Sequence, residues 1–158
     1  MSINDLYSDI ILEHYKEPRN AGSIEGAEIT SRGYNESCGD DIRIFIRVED
    51  GKIADMKFLG NGCAISQSSG SMMTEQLIGK SLDEAKLLID SFKKMITGEH
   101  EFPDSDEYFE LSALKGVIKF PVRVKCATLA WNTVKNGISE FIEKDRHSHH
   151  DEGTNDHE

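Results

Sequence analysis

Three cysteines and one aspartate are the residues of this chain best suited to chemistry. Cys38 and Asp40 share the stretch Asn35-Glu36-Ser37-Cys38-Gly39-Asp40-Asp41. Cys63 lies in Gly60-Asn61-Gly62-Cys63-Ala64, and Cys126 in Val124-Lys125-Cys126-Ala127. The chain has no other cysteine, and three cannot all pair within one chain. Zinc prefers four ligands and is well served by thiolates with one further donor. Asp40 follows Cys38 across a glycine, which can take the backbone conformation that turns both side chains inward. Three thiolates and a carboxylate leave a divalent site negatively charged, and Arg123 and Lys125 stand beside Cys126 in sequence. There is no paired C-x-x-C, so a second reading stays open: free cysteine is often a small buried core residue. The glycines beside Cys38 and Cys63 speak against it, because core strands and helices seldom carry them. Asp41 is the rival of Asp40, but it leads directly into a strand and is expected to face solvent.

These residues need elements to position them. Residues 4–16 carry Tyr7, Ile10, Ile11, His14 and Tyr15 at helical spacing, with Asn4 as a possible cap. His14 in that stripe reads as a packed or edge histidine in preference to a ligand. Residues 27–34 suit a strand. In 42–49, Ile42, Ile44, Ile46 and Val48 share one face. Asp50-Gly51 is a hairpin signal, and Ile53 to Leu59 returns with Ala54, Met56 and Phe58 on one side. The result is an antiparallel meander with one buried face. In it, the connection holding Cys38 and the end of the third strand, just before Cys63, fall at the same edge.

Ala64 to Leu77 is expected to be helical despite its serines, and Gly79 closes it. Ser81 and Glu84 form a capping box for a helix burying Ala85, Leu88, Ile89, Phe92 and Met95. Residues 99–110 form a loop or short element, and Leu111 to Leu114 a further helical turn. After Pro121 a long helix, about 122–143, carries Leu129, Ala130, Val134, Ile138, Phe141 and Ile142 for the core, with Trp131 as an anchor. Cys63 and Cys126 are placed at helix starts, where the macrodipole and free amides favour thiolate. Cys38 is on a loop, which makes it the mobile ligand and the better candidate for sulfur exchange. The expectation is an α+β domain over residues 1–145, a small three-stranded antiparallel sheet packed on one face by helices. A disordered, acidic, histidine-containing tail follows at 146–158.

The net charge of −11 is mostly local: residues 99–110 hold six acids and no base, and residues 143–158 six acids and two bases. No basic face is left for nucleic acid. No run reaches the length of a membrane helix, and the N-terminus lacks the basic start and apolar core of a signal peptide. A reducing, cytoplasmic setting is expected, where stable disulfides are rare.

The chain resembles the IscU/NifU-like superfamily of iron–sulfur assembly proteins over about residues 4–143, and within it the SufU type. The resemblance rests on Cys38-Gly39-Asp40, on Gly60-Asn61-Gly62-Cys63-Ala64-Ile65-Ser66, and on Arg123-Val124-Lys125-Cys126-Ala127-Thr128-Leu129-Ala130-Trp131. Scaffold-type members place a histidine directly before the third cysteine, where this chain has Lys125. They also have a shorter path from the second cysteine to the third, and a double-proline stretch that is missing here. Glu36 stands where the family usually has proline, which bears on the rigidity of the Cys38 loop and not on ligand identity.

The resemblance implies Zn2+ held by Cys38, Asp40, Cys63 and Cys126, with Arg123 and Lys125 in supporting or docking roles. It further implies that Cys38 takes persulfide sulfur from a pyridoxal-phosphate cysteine desulfurase of the SufS type, whether as enzyme or as co-substrate. Iron–sulfur scaffold proteins would lie downstream. The alternative it implies is a scaffold on which the same four ligands hold iron or a [2Fe–2S] cluster.

Overall fold

Alternation of isoleucine with charged residues builds the sheet. A computed structural model describes residues 8–155, and their side chains through residue 146. Strands β1 (Ile29–Asn35), β2 (Asp40–Glu49) and β3 (Lys52–Asn61) form an antiparallel meander in the order β1-β2-β3. Ile42, Ile44 and Ile46 point inward and are buried, while Arg43, Phe45 and Arg47 take the other face. The β2–β3 hairpin turns on Asp50 and Gly51, both with positive φ (53° and 74°), as the Asp-Gly pair predicts.

The inner face of β3 differs from strict alternation. Arg47 pairs with Asp55 and Val48 with Ile53, so Ala54 is an extra residue at a bulge. The bulge shifts the period by one. Ile53, Met56 and Phe58 are buried and Ala54 is exposed, whereas alternation from Ala54 would have left Ile53 outside.

Four α-helices complete the domain: α1 (Asp9–Lys16), α2 (Ala64–Leu77), α3 (Leu82–Ile96) and α4 (Pro121–Asn155). α1 is shorter than the predicted 4–16, and the Ser8 hydroxyl caps it by accepting from Ile11 N (3.4 Å). Asn4 and Tyr7 lie outside the described residues. The Ser81–Glu84 capping box is present with both of its bonds. Between α3 and α4 run two 3-10 segments, Asp106–Tyr108 and Leu111–Lys119, the second longer than the single turn expected. α4 runs on to Asn155, past the expected end near 143 and into the segment 146–158 expected to be a disordered tail, while the side chains of residues 147–158 lie outside the described residues. Among the described residues, no helix is long and apolar enough to cross a membrane.

α2 is the central helix, and its serines are the reason it can be. Ser68, Ser69 and Ser71 are buried, and each hydroxyl has a partner. Ser68 Oγ donates to Ile11 O of α1 (2.7 Å), and Ser69 Oγ donates to Ala127 O of α4 (2.6 Å). Ser71 Oγ accepts from Arg19 N (2.8 Å) and lies 2.7 Å from His14 Nδ1. Small polar residues lower helix propensity but let three helices approach closely without stranding a polar group. His14 is fully buried, with Nε2 3.2 Å from Glu110 Oε1, and is a packed histidine as expected. Trp131 of α4 is also fully buried. It stacks on Phe92 of α3 (ring centroids 4.0 Å apart, planes 11° apart) and donates from Nε1 to Ser69 Oγ (2.9 Å).

Candidate metal centre

The centre forms at one edge of the meander because two connections end there. β1 and β2 are joined by a four-residue turn, 36–39, closed by the Asn35–Asp40 pair. Cys38 sits in this turn, and Gly39 takes the left-handed conformation (φ 68°) that reverses the chain. β2 extends two residues further than the predicted 42–49, so Asp40 belongs to the strand and faces inward, 1% exposed. Asp41 faces the other way. Its hydrogen bonds with the Arg32 guanidinium (2.6 and 3.0 Å) hold its carboxyl below the usual range. That removes it as a rival of Asp40.

β3 ends at Asn61, opposite Asp41, and the chain passes through Gly62 into Cys63, the N-cap of α2. The Cys63 thiol makes no capping bond, and its backbone N–H donates to Asp40 Oδ1 (2.9 Å). Cys126 comes from the second turn of α4, which starts at Pro121, one residue before the expected 122. There its sulfur lies 3.7 Å from Val122 O and is fully buried.

The Sγ atoms of Cys38 and Cys126 are 3.0 Å apart, and together with an Asp40 oxygen they lie within 4.8 Å of one another. Cys63 falls outside that 4.8 Å group. Burial first, then the neighbouring Cys38, Asp40 and Cys63 side chains, push the Cys126 thiol far up. Sulfurs this close cannot all be thiolates without a cation among them. Arg123 Nη1 is 3.9 Å from Cys38 Sγ, and Lys125 is exposed.

The grouped donors, two sulfurs and one carboxylate from a turn, a strand and a helix, suit a borderline-soft divalent ion, and two of the three are fully buried. Space is reserved for the carboxylate. A Cβ at Gly62 would collide with Asp40 Oδ1 and approach Ser66 Oγ to 2.7 Å. Gly62→Ala should therefore displace Asp40 and weaken binding of a divalent metal about 10–100-fold, the usual cost of disturbing a ligand's support. Competition with a chromophoric chelator measures this, and unchanged affinity would show that Asp40 is not a ligand.

The family model of the NifU-like N terminal domain matches residues 6–148. The chain belongs to that family. A Streptococcus pyogenes serotype M1 protein named iron–sulfur cluster assembly scaffold protein IscU is 44% identical over 86% of this chain and 84% of its own length. A Bacillus subtilis protein named zinc-dependent sulfurtransferase SufU is 38% identical over 88% and 93%. Among solved structures, a candidate scaffold for the SUF system from Fervidobacterium islandicum AW-1 is 34% identical. It has a TM-score of 0.79 and covers 87% of this chain and 99% of its own. The meander flanked by helices is thus the family's fold.

One residue at the centre carried no assignment in the sequence reading. Asn35 Nδ2 donates to Asp40 Oδ2 (3.3 Å) and Cys126 Sγ (3.6 Å). Its only signal was an amide side chain at the last residue before the cysteine turn.

Proposed function

We propose that this protein is a zinc-dependent sulfur acceptor that takes persulfide sulfur from a cysteine desulfurase for iron–sulfur cluster assembly. The supporting observation is the inequality of the sulfurs: Cys126 is buried in α4, whereas Cys38 is half-buried at a turn and reachable by a partner. Cys38, Asp40, Cys63 and Cys126 would hold the zinc, which when bound keeps the thiols deprotonated at neutral pH. Tyr34 on β1, Leu59 on β3 and Val122 on α4 are apolar residues left exposed, suited to docking a protein.

With the partner docked, Cys38 Sγ attacks the outer sulfur of the desulfurase persulfide. A new Cys38–sulfur bond forms and the partner's sulfur–sulfur bond breaks. The electron pair leaves on the partner's cysteine as thiolate, and the persulfide proton stays with the transferred sulfur. Arg123, 3.9 Å from Cys38 Sγ, is placed to steady the anionic sulfur during the exchange, and exposed Lys125 to meet the partner.

A scaffold reading is favoured by the names of the Streptococcus and Fervidobacterium relatives, and the same donors would then hold a [2Fe–2S] cluster. Lys125 stands where the scaffold type has histidine, which favours sulfur transfer. A desulfurase assay with and without the protein, repeated after zinc removal, separates the two. Stimulation that vanishes with the metal and returns with zinc supports the proposal. Indifference to zinc, with a brown iron-bearing protein, supports the scaffold.

A further inference from the structure

We propose that Asn35 is a positioning residue that ties three of the four donors together, so that the zinc stays in place when Cys38 leaves. The inference rests on the zinc reading above. Asn35 pairs with Asp40 in the last rung of the β1–β2 ladder, so its backbone is fixed just where the Cys38 turn begins. Its amide spends its donors on Asp40 Oδ2 (3.3 Å) and Cys126 Sγ (3.6 Å). A carboxylate and a thiolate both accept, and the flipped amide would set its oxygen against the carboxylate. The other oxygen of Asp40 takes the Cys63 backbone N–H at 2.9 Å.

A continuous set of bonds therefore runs from the start of α2 through Asp40 and Asn35 to α4. Cys38 has no bond to Asn35 or Asp40 and joins this set only through Cys126. It meets the Cys126 sulfur at 3.0 Å and the long approach of Arg123 Nη1 at 3.9 Å. Hydrogen bonds to ligands orient them and preserve affinity. The brace thus separates a retained set, Asp40, Cys63 and Cys126, from a sulfur that can depart and carry cargo.

The test uses the full chain loaded with zinc and one equivalent of iodoacetamide, with peptide mass mapping to select Cys38-modified protein. Zinc per chain is then measured after gel filtration against a chelator. The wild-type protein should keep its zinc with Cys38 capped. Asn35→Ala, and Asn35→Asp as an isostere without donors, should release it about 10–100-fold faster. The melting temperature of the metal-free proteins should stay the same. Capped variants that hold zinc as the wild type does, or a capped wild type that loses it at once, would overturn the inference while leaving the zinc reading intact. Failure of the uncapped wild type to bind zinc would remove the zinc reading and this inference with it.

Discussion

Cys38→Ser protein should fold, bind zinc more weakly than the wild type and accept no sulfur. Stimulation of a cysteine desulfurase should fall to the level seen without the protein. A serine hydroxyl is close in size to the thiol, and Cys38 is half-buried in a turn at the sheet edge, so little packing is lost. The chemistry is lost, because a neutral hydroxyl is neither a sulfur nucleophile nor a good zinc ligand at neutral pH. Cys126→Ser should behave differently. Its sulfur is fully buried and shared among Cys38, Asn35 and Val122, so metal retention and stability should fall together. Desulfurase turnover, zinc content and melting temperature measured on both variants check the contrast. Full activity in Cys38→Ser would move the acceptor role to another sulfur.

Trp131→Ala should be the most destabilising single change, at about 3–5 kcal/mol, the usual cost of truncating a large buried aromatic. The ring joins α3 to α4 through its stack on Phe92 and α4 to α2 through its bond to Ser69. Trp131→Phe keeps the stack and drops the hydrogen bond. It should cost less, about 1–2 kcal/mol, since Ser69 Oγ still donates to Ala127 O. Urea denaturation of the metal-free proteins measures both, and equal losses would mean that the stack contributes nothing.

The parts of this fold legible in the sequence are those governed by local rules. The isoleucines of β2, the Asp50-Gly51 turn and the Ser81–Glu84 box each act within a few residues, and each is found where expected. That the Cys38 turn and the end of β3 share one sheet edge was legible because a meander leaves the two connections little choice. What stayed hidden depends on neighbours far along the chain. The bulge at Ala54 arises where β3 is matched to β2, so the composition of β3 alone does not announce it. The serines of α2 look like poor helix formers until α1 and α4 are laid against them. Asn35 looks like an ordinary turn residue until the fold sets Cys126 3.6 Å from its amide, 91 positions away.

The most direct measurement is an X-ray absorption spectrum at the zinc and iron edges of protein purified without oxygen. One zinc per chain is expected, with three sulfur neighbours at about 2.3 Å and one oxygen at about 2.0–2.2 Å, in a colourless solution. Zinc surrounded by nitrogen and oxygen alone, or iron with sulfur and a second iron as neighbours, would contradict a zinc centre built from Cys38, Asp40, Cys63 and Cys126.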